Sequence, residues 1–472
     1  MLKRIITLFL LSLTVTTLLG QLRIVGKISS PQSDEIAFQY KISPVQMEPF
    51  VEKAEIASNG SFELELNLES PQMVTLRHGE QLVPLYLFPT GYVELRAKGS
   101  KLSESIEIEG AGGSIASSRF LKDWMAEQES RENLMATYDA VRNADNAQEA
   151  LTGMLERQDI QRQKWESARE KGNLPTEFIQ FFDLRLTYQQ ANTLSELEAM
   201  YRYFHDGEEF NVENPDQLTN MTREVPLLRP EAVNISQYLE FVDNQLNKRL
   251  EDREYEDPKD YYAAKFEAIE SLDGAVKVAV KAKLIADVLS YGNPIYIEEA
   301  IHSLPEEEGG QLYYDMLLPA FEKAMELAPG RQAPHFKLMS AEGEEFNLKD
   351  LQGKLVYVDF WASWCGPCLA EMPYTRELIE QYQEHEGIAF LFISIDDDEE
   401  AWRQAMEEEN IPGIHVWSQG FNSEVPQAYN VSAIPNYFLI APDGTILDPF
   451  PPRPSSGQLG EIFEKNMGEG GR

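Results

Sequence analysis

Cys365 and Cys368 are the only cysteines among 472 residues, and they stand three positions apart in the stretch FWASWCGPCLAEMP, residues 360–373. Such a pair can staple a fold, hold a metal or exchange electrons through a reversible disulfide. A staple stabilises chiefly by closing a loop, and the gain is least for the shortest loops. A loop of this length makes poor use of the only two cysteines. Structural zinc needs four ligands, typically from a second close pair of Cys or His. The chain has no second CxxC, and its 6 histidines are scattered. A peroxidatic cysteine would follow a P-x-x-x-T/S-x-x-C pattern, and those positions are Val358 and Ala362.

The elements around the pair favour exchange. KLVYVDFW (354–361) is a continuous apolar run of buried-strand length, and residues 368–382 follow a helical pattern. The cysteines therefore fall at a helix N-terminus, where unpaired N–H groups and the helix dipole favour negative charge. A CxxC thiol in that position has its pKa lowered from ~8.5, commonly into the ~3.5–7.5 range. Cys365, nearest the helix end, is the expected exposed nucleophile, and Cys368, one turn deeper, the thiol that resolves a mixed disulfide. Gly366 and Pro367 keep the turn tight, and proline is tolerated in a first helical turn.

Beyond residue 330 strand and helix patterns alternate: IAFLFISI, EEAWRQAMEEEN, HVWSQ, NYFLIAP and TILDPF follow the first strand and helix, with a last helix near residues 457–466. This predicts an α/β layer around a central sheet. Residues 21–113 read differently. SFELELNLES alternates apolar and polar with period two, and RIVGKI, MVTLRH, YVELRA and SIEIEG are shorter versions, which predicts a small antiparallel β-sandwich. Gly110, Gly112 and Gly113 are read as a linker, and residues 114–328 as an all-α region broken near Gly172, residues 211–230 and Gly292. The aromatic stripes there, with Trp124, Trp165, Phe178, Phe181 and Phe182, are read as core. Residues 329–335, PGRQAPH, are read as a second linker, leading into the domain 329–472.

The net charge of −38, with no basic region after the N-terminus, excludes nucleic acid as a partner. The acidic runs 396–400 and 407–409 are expected to be solvated faces. Lys3 and Arg4 precede about 15 apolar residues ending at Gly20, the pattern of a secretory signal peptide over 1–20 and too short for a membrane span. The mature chain is expected to be exported.

The segment VDFWASWCGPCLAEMP resembles the active-site stretch of thioredoxin-like proteins, specifically the exported TlpA/ResA-like thiol-disulfide oxidoreductases. That resemblance covers about residues 331–468 and implies several roles. Asp359 falls where the family carries a buried carboxylate that relays a proton near the second cysteine. Glu371 and Pro373 fit the C-x-x-C-x-x-E-x-P pattern of the exported branch. VSAIPNYFLIAPDGTI resembles the stretch with a cis-proline beside the disulfide, which places Pro435 after Ile434 at the substrate-binding surface together with Gly366, Pro367 and Trp364. Residues 396–429 resemble that branch's extra helix-and-strand insertion. The implied activity is reduction of protein disulfides in the periplasm or cell envelope, without a metal or other cofactor, with electrons from a membrane donor. The alternative is a surface binding or assembly protein whose β and helical extension recognises the partner, the redox domain being accessory.

Overall fold

The structure, a computed structural model, describes residues 21–214, 221–251, 253–255 and 257–466. The expected signal peptide, 1–20, lies outside the described residues. The chain divides into two compact units, one ending at Gln245 and the other beginning at Leu246. This division falls inside the helical region and not at either expected linker.

In the first unit, β1 (Leu22–Ser29), β4 (Ser61–Leu66), β7 (Gly91–Lys98) and β8 (Glu107–Ala111) form one sheet in the order β4-β1-β7-β8. The second sheet, in the order β3-β2-β5-β6, contains β2 (Glu35–Tyr40), β3 (Phe50–Glu55), β5 (Gln72–His78) and β6 (Gln81–Leu87). Ile24, Phe38, Leu66, Leu76, Leu85 and Leu95 belong to one buried core. The sandwich is not wholly antiparallel, because β1 and β7 run parallel with Ile24 opposite Val93. The chain visits the other sheet between them and re-enters in the direction of β1. Side-chain alternation specifies which face of a strand is buried, not the direction of its neighbour.

The glycines at 110–113 are points of close approach, not a linker. Gly110 lies in β8 at φ +130°, where a Cβ would meet the Tyr92 carbonyl oxygen at 2.0 Å. Gly113 opens the helix Gly113–Gln128, which lies against β6. Ser118 Oγ accepts the Tyr86 N–H and donates to the Tyr86 carbonyl, each at 3.0 Å, and Ser114 Oγ accepts the Phe88 N–H at 3.0 Å. Helix hydroxyls thus satisfy the outer edge of a sheet that would otherwise be open to pairing. Tyr86 also joins Trp124, Trp165, Phe178 and Phe182 in one buried aromatic cluster, with Phe181 half-buried against it. The stripes are core, as their helical spacing indicated.

In the second unit, seven strands take the order β10-β9-β13-β12-β11-β14-β15. They are β9 (Lys337–Ser340), β10 (Glu345–Asn347), β11 (Leu355–Trp361), β12 (Ile388–Ser394), β13 (Ile414–Trp417), β14 (Asn436–Ile440) and β15 (Ile446–Asp448). Every residue of β11 is buried, and the strand runs parallel to β12 and antiparallel to β14. Cover on both faces is why its sequence is continuously apolar instead of alternating. The expected linker at 329–335 is pinned to the edge of this sheet. The Gly330 N–H donates to the Ile446 carbonyl at 2.8 Å, the Ile446 N–H to the Arg331 carbonyl at 2.7 Å, and the Ala333 N–H to the Gly444 carbonyl at 3.0 Å.

Replacing Ser118 with alanine should leave the buried Tyr86 N–H without an acceptor and destabilise the first unit by about 1–3 kcal/mol. Urea unfolding of the full chain, with amide exchange read at β6, measures this. An unchanged midpoint with unchanged exchange would refute a role for the serine in sealing the edge.

Candidate active site

Strand β11 delivers the chain to the site. After Trp361 it turns through Ala362, whose carbonyl accepts the Cys365 N–H at 3.1 Å, and enters the helix Gly366–Tyr382 with Cys365 as its N-cap. Cys365 Sγ accepts the Cys368 N–H at 3.2 Å. A first-turn N–H aimed at this sulfur would stabilise negative charge on it once the disulfide is opened. The sulfurs of Cys365 and Cys368 are joined as a disulfide with S–S 2.00 Å. Both residues are buried, Cys365 at 4% and Cys368 at 1% exposure, so the expected nucleophile is the less buried of the two without being open. Gly366 and Pro367 between them are exposed, and Trp364 is 60% exposed with its ring 6.3 Å from that of Phe421.

The Ile434–Pro435 peptide bond is cis. β14 begins one residue later, with Asn436 opposite Phe360 and Tyr437 opposite Asp359. That register places Pro435 at the end of the sheet from which β11 leads to the cysteines.

Asp359 is 1% exposed, and its Oδ1 has no hydrogen-bond partner among the described residues. Burial, reinforced by the negative charge of Glu371, raises its carboxyl from an ordinary 3.8 to about 8. Glu371 is not a solvated helix charge. It is 8% exposed, its Oε2 accepts the Ser455 N–H at 3.0 Å, and its Oε1 accepts the Ser455 hydroxyl at 2.9 Å.

The acidic run beginning at residue 396 is where the sequence misleads. Asp396 is 1% exposed. It accepts the Ser363 N–H on both oxygens (3.1 and 3.0 Å), the Ser363 hydroxyl at 2.6 Å and the Ser394 hydroxyl at 2.8 Å. It lies just past β12, the strand beside β11, and so ties down the turn that precedes Cys365. Asp398 caps the helix Glu399–Glu409 by accepting the Glu400 N–H at 3.0 Å. A carboxylate directly after a buried parallel strand was the available signal. It was obscured because Asp397, Asp398, Glu399 and Glu400 continue the charge run.

The sites read from sequence thus fall into one region: Cys365, Gly366, Pro367 and Cys368 on one turn, Trp364 beside them, and Asp359 and Glu371 coupled electrostatically. Ile434 and Pro435 arrive at the same end of the sheet. Ser363, Asp396, Phe421, Tyr437 and Ser455 join them without having been foreseen.

A family model described as Redoxin matches residues 328–456. The chain is similar to the thiol-disulfide oxidoreductase ResA of Bacillus cereus, 31% identical over 145 residues that make up 31% of this chain and 82% of that protein. It is also similar to ResA of Oceanobacillus iheyensis, 36% identical over 123 residues, 25% of this chain and 62% of that one. Among solved structures, the thioredoxin domain of a thiol-disulfide oxidoreductase from Bacteroides vulgatus aligns at 28% identity with a TM-score of 0.27, covering 29% of this chain and 99% of that one.

Two outcomes follow from the carboxylates. With a folded value near 8 against an ordinary 3.8, Asp359 keeps its proton in the folded chain over a pH range in which the unfolded chain has lost it. Stability should therefore fall as pH rises from about 4 to about 8 and level off above. Asp359→Asn in the oxidised protein should match the native chain near pH 4 and exceed it by several kcal/mol at pH 8, measured by guanidinium unfolding across that range. A pH-independent difference between the two would contradict the assigned cause. Asp396→Ala should instead cost roughly 2–3 kcal/mol, since it strands the Ser363 and Ser394 donors, and Asp396→Asn should cost less than half of that. Equal losses in the two Asp396 variants would show that the hydrogen bonds are not what matters.

Proposed function

The chain belongs, through its C-terminal domain, to the ResA-like thiol-disulfide oxidoreductases of the thioredoxin superfamily, and on that premise we propose that it reduces disulfides in partner proteins by dithiol exchange at Cys365 and Cys368. The observation that carries this reading is Cys365 Sγ at the N-cap of a helix, receiving the Cys368 N–H at 3.2 Å, on a turn fed by a wholly buried strand. In the reduced protein the Cys365 thiolate attacks one sulfur of the partner's disulfide. A mixed disulfide forms and the partner's other sulfur leaves as a thiolate. Cys368 then gives up its proton, Asp359 being the buried base beneath it, and attacks Cys365 Sγ. That attack closes the Cys365–Cys368 bond and frees the partner's second thiol. Two electrons pass to the partner, and a dithiol or membrane-borne reductant must return them.

Glu371 acts through its charge on Asp359, raising the affinity of that carboxyl for a proton. Trp364, Gly366, Pro367, Ile434 and Pro435 form the surface a partner strand meets. The basic-then-apolar N-terminus supports export to the periplasm or cell envelope. The relatives named above are named for thiol-disulfide oxidoreductase chemistry, so the reading as a surface assembly protein with an accessory redox domain is not favoured.

Reduction of insulin disulfides by the purified reduced chain should fall to background with Cys365→Ser. Cys368→Ala should accumulate mixed disulfides with envelope proteins that a thiol reagent releases. Insulin reduction surviving in Cys365→Ser would remove the proposed mechanism.

A further inference from the structure

Asp359 and Tyr437 are register partners in the antiparallel pair β11–β14. Their side chains therefore leave the sheet on the same face, with Cβ atoms about 4.5–5.5 Å apart. Asp359 is 1% exposed and Tyr437 4%. Among the described residues, Asp359 Oδ1 and the Tyr437 hydroxyl are both buried without a hydrogen-bond partner. They are not bonded to each other in this structure, which holds the oxidised form; two unsatisfied polar atoms on one buried face are costly, and ionisation of Asp359 would offer the phenol the acceptor it lacks.

The remaining groups facing this carboxyl are engaged elsewhere or of the wrong character. Glu371, from the helix Gly366–Tyr382, is itself an acceptor, and the Ser455 hydroxyl donates to it. Tyr357, two residues back on β11, donates its hydroxyl to the Pro452 carbonyl at 3.2 Å and stacks on the Tyr437 ring at 5.4 Å. Arg453 acts on Tyr357 and Tyr437, whereas Asp359 feels burial and Glu371 but no cation. Trp361 Nε1 is another donor without a partner among the described residues, but its residue stands two positions along the same strand, roughly 6.5–7 Å away along the backbone, whereas Tyr437 is the directly opposite cross-strand neighbour. Cys368 supplies only the proton that Asp359 is to receive.

We propose that Tyr437 is a positioning residue for the disulfide exchange: its hydroxyl is the neutral donor that holds the Asp359 carboxylate while that group is charged and ready to take the Cys368 proton. The inference rests on the exchange reading above. Burial, then the charges of Asp359 and Glu371, keep the phenol protonated far above the ordinary tyrosine range. It therefore donates without titrating. During resolution one proton moves from Cys368 Sγ to Asp359, and the phenol keeps its own. Once Asp359 is protonated the charge-assisted bond weakens, and it re-forms when the proton leaves.

The test is a carboxyl carbon NMR titration of Asp359 in the reduced full-length chain, alongside the pH profile of insulin reduction. Tyr437→Phe keeps the ring that stacks on Tyr357 and removes only the donor. It should raise the Asp359 midpoint by about one pH unit or more and move the activity profile with it. 3-Fluorotyrosine at position 437, a stronger donor, should lower the midpoint. In an Asp359→Asn background, Tyr437→Phe should leave the activity profile unmoved. An Asp359 midpoint unchanged by both substitutions at 437 overturns the proposal, and the fluorotyrosine chain alone decides it if Tyr437→Phe does not fold. The titration needs no turnover, so failure of the exchange reading, seen as activity in Cys365→Ser, is distinguishable from failure of this one.

Discussion

An ionisable carboxyl sits on the most buried strand of the redox domain, with no cation acting on it among the described residues. Asp359 occupies a strand whose every residue is covered, and its nearest charged influence is another carboxylate, Glu371. Such an arrangement favours the protonated form and makes ionisation unfavourable. Much of the surrounding geometry answers that constraint. Ser455 takes up both oxygens of Glu371, so that the second acid does not itself need Asp359 as a donor. Antiparallel pairing with β14 brings a phenol opposite the acid, where a lysine or arginine would have removed its affinity for a proton. A carboxyl held in this range can take up or give a proton near neutral pH.

Asp396 shows what the same side chain does when it is supplied with donors. It follows β12, the parallel neighbour of β11, and both residues are 1% exposed. Asp396 receives hydrogen bonds from Ser363 and Ser394 and serves there as an acceptor. Asp359 receives none on Oδ1. The two carboxylates differ in how they are held: one fixes the turn before Cys365, and the other is left with an unpartnered buried oxygen among the described residues. Hydrogen-bond supply separates the two, since their burial is the same.

The placing of the cysteines was legible in the sequence because it depends on local order: a buried strand, a four-residue motif and a helix. The same is true of Asp359, whose apolar neighbours Val358 and Phe360 announce burial. Residues brought in by register or by long connections were not legible. Tyr437 and Ser455 follow the motif by dozens of residues, and only strand pairing and the turn Pro454–Ser456 bring them back. Asp396 was hidden because charge runs are usually solvated, and here the first member of the run is swallowed by the fold. The two expected linkers failed for a related reason. Glycine and proline mark backbone that cannot be ordinary helix or strand, and they do so equally where a chain is free and where it is pressed against a carbonyl, as Gly110 is against Tyr92.

The solitude of the cysteine pair then bears on how a partner must approach. With no third cysteine in the chain, any mixed disulfide forms with another molecule, yet Cys365 is only 4% exposed in the oxidised form. The covering is uneven. A Cβ placed on Gly366 would find no atom within 4 Å, and Pro367 beside it is exposed. The space in front of the helix end is therefore open, while the walls behind it are packed. Trp364 and Phe421 stand at the rim as an apolar shoulder, and the start of β14 borders the same end of the sheet. An extended segment carrying a disulfide can enter across Gly366, where the missing side chain leaves room for backbone. Open space at this glycine, against packed walls behind it, leaves the helix end approachable from one side.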